Sequence, residues 1–421
     1  MRRALPASAA VLIALTASAC STPNRSGRVA APTLGDLSAP LAERGPMDQD
    51  RTEQCGSGEL TDAGADLFLR TPYLQRVDAQ GASVLFTVGE GLALPEDIAV
   101  QVTTPDASVV TEAAGAQYAS AHPAGAVQVR ARVEGLDAAT LYCYQVFRGE
   151  EPLTDRTGFR TAPEAGDTST PFGFVVFGDS GGATADQQSV LEQVFTVDHD
   201  FIVHTGDLAY DKGSLAQFEQ KHFDVYESLF RMIPHFPTPG NHEYGTTNAR
   251  PYFEVFELPE NGDPLDPERY YSFDWGPIHF VSIDSNLLGD AQEQWLADDL
   301  AATDQPFIVA FDHHPPFSSG DHGSDGNVQT RIVPHLVENG AQLMFSGHDH
   351  HYERTKEMDG VTYVIAGGGG VGTRPPGRSS FTELSSEVLH FVYVEYDGED
   401  LVLHAIDATG QEFDNHVVHP R

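Results

Sequence analysis

Cysteine is nearly missing from this sequence: among 421 residues there are three, Cys20, Cys55 and Cys143. None lies near a histidine-rich segment, which argues against thiolate ligation of a metal. Basic residues are also scarce. Lys and Arg number 24 against 62 Asp and Glu, a net charge of −38. That balance argues against nucleic acid and anionic membrane surfaces as partners. It would also repel an anionic substrate, so any phosphate site needs its own positive charge; solubility, as in a salty habitat, is the plain reading of the acidity. No internal repeat is visible, and the apolar stretch Val11-Leu12-Ile13-Ala14-Leu15 is too short to span a membrane. The Gly367–Gly370 run lacks the Lys-Ser/Thr pair that a phosphate-cradling loop requires, and reads as a flexible turn.

What is present begins with an export signal. Arg2 and Arg3 precede the apolar stretch, and small residues lead to Cys20. Ala17-Ser18-Ala19-Cys20 resembles a bacterial lipoprotein cleavage site, with Ala17 where Leu is usual. The resemblance implies a diacylated Cys20 as the one membrane contact, with the protein at the outer membrane or cell surface, and otherwise periplasmic or secreted. Cys55 and Cys143 are then left to pair in an oxidising compartment, or to stay as inert thiols.

The length suits two domains. Residues 1–20 are the signal, and 21–66, rich in Pro, Ser, Gly and Ala without apolar period, read as a flexible surface tether. Residues 67–163 are all-β: Ser83–Val88, Ile98–Val102 and Ala126–Val133 read as short strands separated by turn residues, as in a β-sandwich. Leu136, Thr140, Tyr142 and Tyr144 are spaced like the tyrosine corner of fibronectin type III domains, which this region resembles. Residues 171–421 alternate strands and helices. Phe172–Phe177, Phe201–His204, Phe307–Phe311 and Leu343–Phe345 read as buried strands, and Ala185–Val197, Leu215–Phe230 and Ala291–Ala301 as helices, giving an α/β domain.

Polar residues follow at once after these four strands and after the apolar segment Phe236-Pro237-Thr238-Pro239. They are Gly178-Asp179-Ser180-Gly181, Gly206-Asp207-Leu208-Ala209-Tyr210, Gly240-Asn241-His242-Glu243, Asp312-His313-His314-Pro315 and Gly347-His348-Asp349-His350-His351. Sites in open α/β sheets form at the carboxyl ends of strands, so these loops should converge. In extended backbone, residues two apart face the same way about 6–7 Å apart, so His348 and His350 can serve one site while His351 faces elsewhere. Oxygen and imidazole donors without sulfur suit Fe, Zn or Mn, and the set has donors enough for two ions. A metal pair would also supply the positive charge that the chain otherwise lacks.

The five segments resemble the signature of purple acid phosphatases within the calcineurin-like metallophosphoesterases, and the sandwich resembles the N-terminal domain of the plant-type enzymes. The wider superfamily usually has a His two residues after the first Asp; here Gly181 stands there, and Tyr210 stands three residues after Asp207. The resemblance implies Fe(III) held by Asp179, Tyr210 and His350, and a divalent Zn, Mn or Fe held by Asn241, His313 and His348, with Asp207 bridging. It implies hydrolysis of phosphate monoesters of small molecules by a metal-bound hydroxide, with His242 and His322 binding phosphate or protonating the leaving group. The plant-type enzymes usually carry a His pair near His322, and one His is present. A phosphodiesterase, or a dinuclear phosphoesterase without the colour, is the alternative. Gly178-Asp179-Ser180-Gly181-Gly182 also resembles the nucleophile segment of trypsin-like proteases, but only His122 precedes Ser180, inside the sandwich.

Overall fold

The computed structural model describes residues 48–118, 125–265 and 267–421, which belong to one compact unit. The expected signal peptide, Cys20 and most of the tether lie outside the described residues. From residue 48 the tether reading fails. Asp48–Cys55 and Asp62–Leu67 are helices. Arg51 is buried, its Nη2 donating to Asp200 Oδ1 at 2.9 Å and to the His199 carbonyl at 3.1 Å. Cys55 is disulfide-bonded to Cys143. Composition misled here because a buried ion pair and a disulfide, rather than an apolar face, hold the segment. Among the described residues no helix is long and apolar enough to cross a membrane.

Two antiparallel sheets open the described chain. One orders Phe68–Gln75, Gly81–Gly89, Ala126–Glu134 and Ala116–Gln117; the other orders Val109–Ala114, Ile98–Thr103, Leu141–Arg148 and Glu151–Pro152, with Thr157–Arg160 also on Leu141–Arg148. The Tyr142 hydroxyl accepts from the Asp137 amide at 3.0 Å. These sheets are fused to the α/β part of the chain. Tyr144 OH donates to the Arg231 carbonyl at 2.8 Å, and Arg70 Nε donates to Glu219 Oε2 at 3.0 Å. A π turn at Glu219–Phe223, within the helical run from Leu215 to Phe230, carries that glutamate.

The remainder is built on two mixed sheets. The six-stranded one orders His235–Pro237, Phe201–His204, Phe172–Phe177, His390–Tyr396, Leu401–Asp407 and Glu412–Val418, the first three parallel. The seven-stranded one runs from Tyr271–Trp275 through Ile278–Ser282, Phe307–Phe311, Leu343–Ser346, Thr362–Ala366 and Tyr352–Thr355 to Thr382–Ser386. Aromatic rings join the sheets face to face: Phe174 and Phe280 centroids are 5.2 Å apart, and those of Phe236 and Phe273 4.0 Å. On the other face of the seven-stranded sheet, Ile308, Ala310 and Met344 pack with Leu296, Leu300, Val328, Ile332 and Leu336 of the helices. Phe307–Phe311 is therefore buried throughout, because each face of the alternating strand meets an apolar layer. The sequence reading of Ala291–Ala301 as a helix agrees with Asp290–Ala302, and the strand Glu412–Val418, half-buried along most of its length, has no counterpart in that reading.

Candidate metal centre

The strands Phe172–Phe177, Phe201–His204 and His235–Pro237 run parallel in one sheet, and Phe307–Phe311 and Leu343–Ser346 run parallel in the other. Their carboxyl ends release the five polar loops into one place. Asp179, Asp207 and His348 all adopt positive φ, at 56°, 56° and 69°. That region is unfavourable for residues with a Cβ and tends to persist where surrounding structure enforces it, as at binding sites. His348 N donates to Asp179 Oδ2 at 2.9 Å, which ties the fifth loop to the first.

Two sets of donor atoms result. In the first, Tyr210 OH lies 3.1 Å from Asp179 Oδ1 and 3.2 Å from His350 Nε2, with His350 Nε2 3.5 Å from Asp179 Oδ1. In the second, His313 Nε2 lies 3.0 Å from Asn241 Oδ1 and 3.4 Å from Asp207 Oδ2. Asp179, Asp207 and His313 offer ligand atoms within 4.8 Å of one another, and so do His313, His314 and His348. Ligands about 2.1 Å from one ion and at right angles to each other stand about 3 Å apart, which is the spacing within each set.

The imidazoles are oriented for the same purpose. Nδ1 of His313 donates to the Thr205 carbonyl at 2.8 Å, Nδ1 of His350 to the Val371 carbonyl at 3.1 Å, and Nδ1 of His242 to the Asp211 carbonyl at 2.7 Å. A carbonyl only accepts, so each Nδ1 carries the ring proton and each Nε2 keeps a lone pair for the site. The electrostatics call for cations. Burial alone would lower the His313 imidazole, but Asp207 and Asp179 push it up to about 10. Burial first, then Asp179 and Asp207, hold the Tyr210 phenol well above its ordinary value. Burial with His313 beside it pushes His314 down to about 4. A cluster of buried carboxylates that draws protons onto its neighbours is one that metal ions would neutralise instead.

The two candidate catalytic histidines differ. His242 is half-buried, its ring centroid 4.1 Å from that of Tyr210 and its Nε2 3.7 Å from Asp207 Oδ2. His322 is exposed, its ring centroid 4.1 Å from that of His348. His351 is turned away, 3.3 Å from Glu353 Oε2. Ser180 is buried, and Gly206 N donates to His204 Nδ1, which leaves Nε2–H to donate to Ser180 Oγ at 2.8 Å. A serine that receives its histidine's proton and is sealed from solvent is no nucleophile, so the protease resemblance is excluded.

Three features escape the sequence reading. Glu243 is fully buried and accepts four backbone N–H groups: Leu208 and Ala209 on Oε1 at 3.0 and 3.1 Å, Asp207 and Gly240 on Oε2 at 3.0 and 2.8 Å. Its position directly after Asn241-His242 is the available signal. Gly367–Gly370 is buried rather than a flexible turn, because a Cβ on Gly369 would lie 2.2 Å from the Gly178 carbonyl oxygen. Arg374 reaches His322, with Nη1 donating to Nε2, and nothing in its local sequence announces it.

Residues 172–352 match the family described as Calcineurin-like phosphoesterase. Purple acid phosphatase 15 of Arabidopsis thaliana is 27% identical over 281 residues, covering 57% of this chain and 53% of the relative. Tartrate-resistant acid phosphatase type 5 of Rattus norvegicus is 25% identical over 288 residues, covering 56% of this chain and 87% of its own. A purple acid phosphatase from yellow lupin (Lupinus luteus) seeds has the same fold, with a TM-score of 0.71 at 18% identity over 83% of this chain and 74% of that one. The chain spans 53%, 61% and 56% of the length of purple acid phosphatases 15, 23 and 18 of Arabidopsis thaliana. The chain thus carries a calcineurin-like phosphoesterase domain at residues 172–352, and its curated relatives are purple and tartrate-resistant acid phosphatases.

Proposed function

We propose that this protein hydrolyses phosphate monoesters of small molecules at a dinuclear Fe(III)–M(II) centre. Asp179, Tyr210 and His350 would hold the ferric ion, Asn241, His313 and His348 a divalent Zn, Mn or Fe, and Asp207 would bridge. The observation that carries the reading is the meeting of Tyr210 OH with Asp179 Oδ1 at 3.1 Å and His350 Nε2 at 3.2 Å, beside the Asn241–His313–Asp207 set. When bound, the metal pair supplies Lewis acidity toward the phosphate and its attacking water. The chain's own residues do the rest. Glu243 fixes the backbone that carries Asp207, so the bridging carboxylate cannot drift. His242, steered by the Asp211 carbonyl and open to solvent on one edge, is placed to take up a proton at Nε2 and pass it to a phosphate oxygen or the leaving group.

The two N-terminal sheets are, in this reading, a fibronectin type III-like sandwich at residues 67–163 that supports a catalytic domain at 171–421. The Tyr142–Asp137 bond supports the likeness. Cys20 would carry the lipid that anchors the exported protein, and Cys20→Ser would move it from the membrane to the soluble fraction.

The test is metal analysis and a visible spectrum of wild type and Tyr210→Phe, beside rates on p-nitrophenyl phosphate and its bis-ester. Iron with a second metal, a visible band lost in Tyr210→Phe, and faster cleavage of the monoester are expected. A colourless wild type with two equivalent divalent ions would sink the iron–tyrosine assignment, and preference for the bis-ester would make the protein a phosphodiesterase.

A further inference from the structure

The segment after Thr362–Ala366 is laced across the proposed iron side of the site. Gly369 N donates to the Gly178 carbonyl at 3.0 Å, and Val371 N donates to the Asp179 carbonyl at 3.0 Å. Val371 O in turn receives Nδ1 of His350 at 3.1 Å. Three residues on, Arg374 N donates to the His350 carbonyl at 2.9 Å. The guanidinium of Arg374 then extends to His322, whose ring lies against His348. One side chain thus runs from the backbone of a proposed iron ligand to the imidazole stacked on a proposed ligand of the other ion.

Its pairing is unusual for this protein. Several arginines are taken up by carboxylates, Arg70 by Glu219, Arg331 by Glu293 and Arg354 by Asp414, while Arg156, Arg378 and Arg421 donate to backbone carbonyls. Among the described residues no carboxylate lies within ion-pair distance of the Arg374 guanidinium, in a chain with 62 acidic residues. Its side-chain partner is an imidazole, a weaker acceptor. Arg374 is also half-buried, so the guanidinium is partly open to solvent at the site. An arginine remains charged at any working pH and offers parallel N–H donors that match a phosphate edge.

We propose that Arg374 binds the phosphate group of the substrate, and that His322 is a positioning residue that holds the guanidinium in place. This rests on the phosphatase reading above. Because Nη1 can only donate, His322 Nε2 accepts, and the ring proton sits on Nδ1. His322 therefore holds the arginine rather than giving its Nε2 proton to the leaving group. The arginine supplies the local positive charge that a net −38 chain must find for an anionic substrate, over and above bound metal.

The experiment measures inorganic phosphate binding to the metal-loaded protein by calorimetry, and KM and kcat on p-nitrophenyl phosphate, for wild type, Arg374→Ala, Arg374→Lys, His322→Ala and the Arg374→Ala/His322→Ala pair. Loss of a charge-assisted phosphate contact predicts a roughly ten- to hundredfold weaker phosphate affinity in Arg374→Ala, with a similar rise in KM. Metal content and the thermal midpoint without phosphate should not change. Arg374→Lys should recover part of the affinity. His322→Ala should weaken phosphate less, and add nothing once Arg374 is gone. Phosphate affinity in Arg374→Ala within twofold of wild type overturns the assignment, as does loss of metal in that variant. Additive effects of the two substitutions overturn the positioning role of His322. A wild type that hydrolyses monoesters while Arg374→Ala is unaltered leaves the phosphatase reading standing, whereas a metal-loaded wild type that neither binds phosphate nor turns over overturns both.

Discussion

Gly181→Ala is the sharpest test of how the first two loops make the site. A Cβ built on Gly181 would lie 2.0 Å from the Leu208 carbonyl oxygen, 2.2 Å from its carbon and 2.5 Å from Ala209 N. Carbon and oxygen approach no closer than about 3.3 Å without repulsion, so one loop must retreat by roughly 1.3 Å. The obstacle is backbone and cannot swing aside like a side-chain end. The same two loops are joined by Tyr210 N to Gly181 O at 3.0 Å, so the retreat falls between Asp207 and Tyr210. Overpacking costs about 1–3 kcal/mol where side chains can adjust, and this contact sits at or above the top of that range. A misplacement of about 1 Å in catalytic groups lowers rate about a hundredfold. Gly181→Ala is therefore expected to lose at least about a hundredfold in kcat/KM on p-nitrophenyl phosphate and to bind less metal. Gly181→His, which restores the imidazole usual in the wider superfamily, should fail for the same reason. Gly182→Ala is the comparison, since its Cβ meets the side-chain methyls of Thr184 at 2.8 Å and Val371 at 3.2 Å, and its loss should be smaller. Wild-type kcat/KM, metal content and thermal midpoint in Gly181→Ala would refute the reasoning.

Three further outcomes are expected from the packing. Glu243→Gln puts an N–H where two backbone N–H groups now seek an acceptor, so a loss of at least ~3 kcal/mol in stability, with loss of metal, is expected by denaturant titration and metal analysis. The Cys55–Cys143 disulfide spans 88 residues, and the loop-entropy estimate gives ~4–5 kcal/mol, so Cys143→Ala should lower the denaturation midpoint strongly and make it insensitive to reductant. Burial alone would lower the His279 imidazole, but its hydrogen bonds to Asp274 and Asp299 raise it to about 9. A raised imidazole stabilises the fold fully below its unfolded value of 6.5 and loses that contribution as pH climbs through about 9. The stability gap between wild type and His279→Gln, up to roughly 3 kcal/mol, should thus be largest in acid and vanish above about pH 9; a gap that widens with pH would contradict the pairing.

Much of the fold and of the site is legible in the sequence because the chemistry sits at predictable places. Apolar strands that end in Gly-Asp, Gly-Asn-His or Gly-His-x-His mark loops at the carboxyl edge of a sheet, and parallel pairing brings those edges together. What is not legible depends on contacts between distant segments. Arg51 reads as one charge in a polar tether, and Asp198, His199 and Asp200, far along the chain, make it a buried anchor. Gly367–Gly370 reads as flexible because glycine permits freedom, while here it permits close approach to Gly178. Arg374 stands in a Pro- and Gly-rich stretch that has no periodicity, and its place is set by a backbone bond to His350.

The same distinction bears on charge. A net charge of −38 says only that the chain as a whole repels phosphate. The site answers locally, and with different reach. In the proposed reading, metal ions held by buried carboxylates would act at the phosphoryl centre, where those carboxylates raise the His313 imidazole. An arginine held by an imidazole rather than a carboxylate acts at the entrance, with its remaining N–H groups left for a phosphate oxygen. The surrounding acidity then becomes an advantage in one step. A phosphate ion leaving the site would meet a repulsive field beyond Arg374, which favours its departure over rebinding. Raising salt screens that field across about 8 Å at physiological strength. The reasoning therefore requires phosphate inhibition to tighten, and KM to fall, as ionic strength rises, and inhibition that weakens steadily with salt would show that local cations, rather than the acidic surface, govern access.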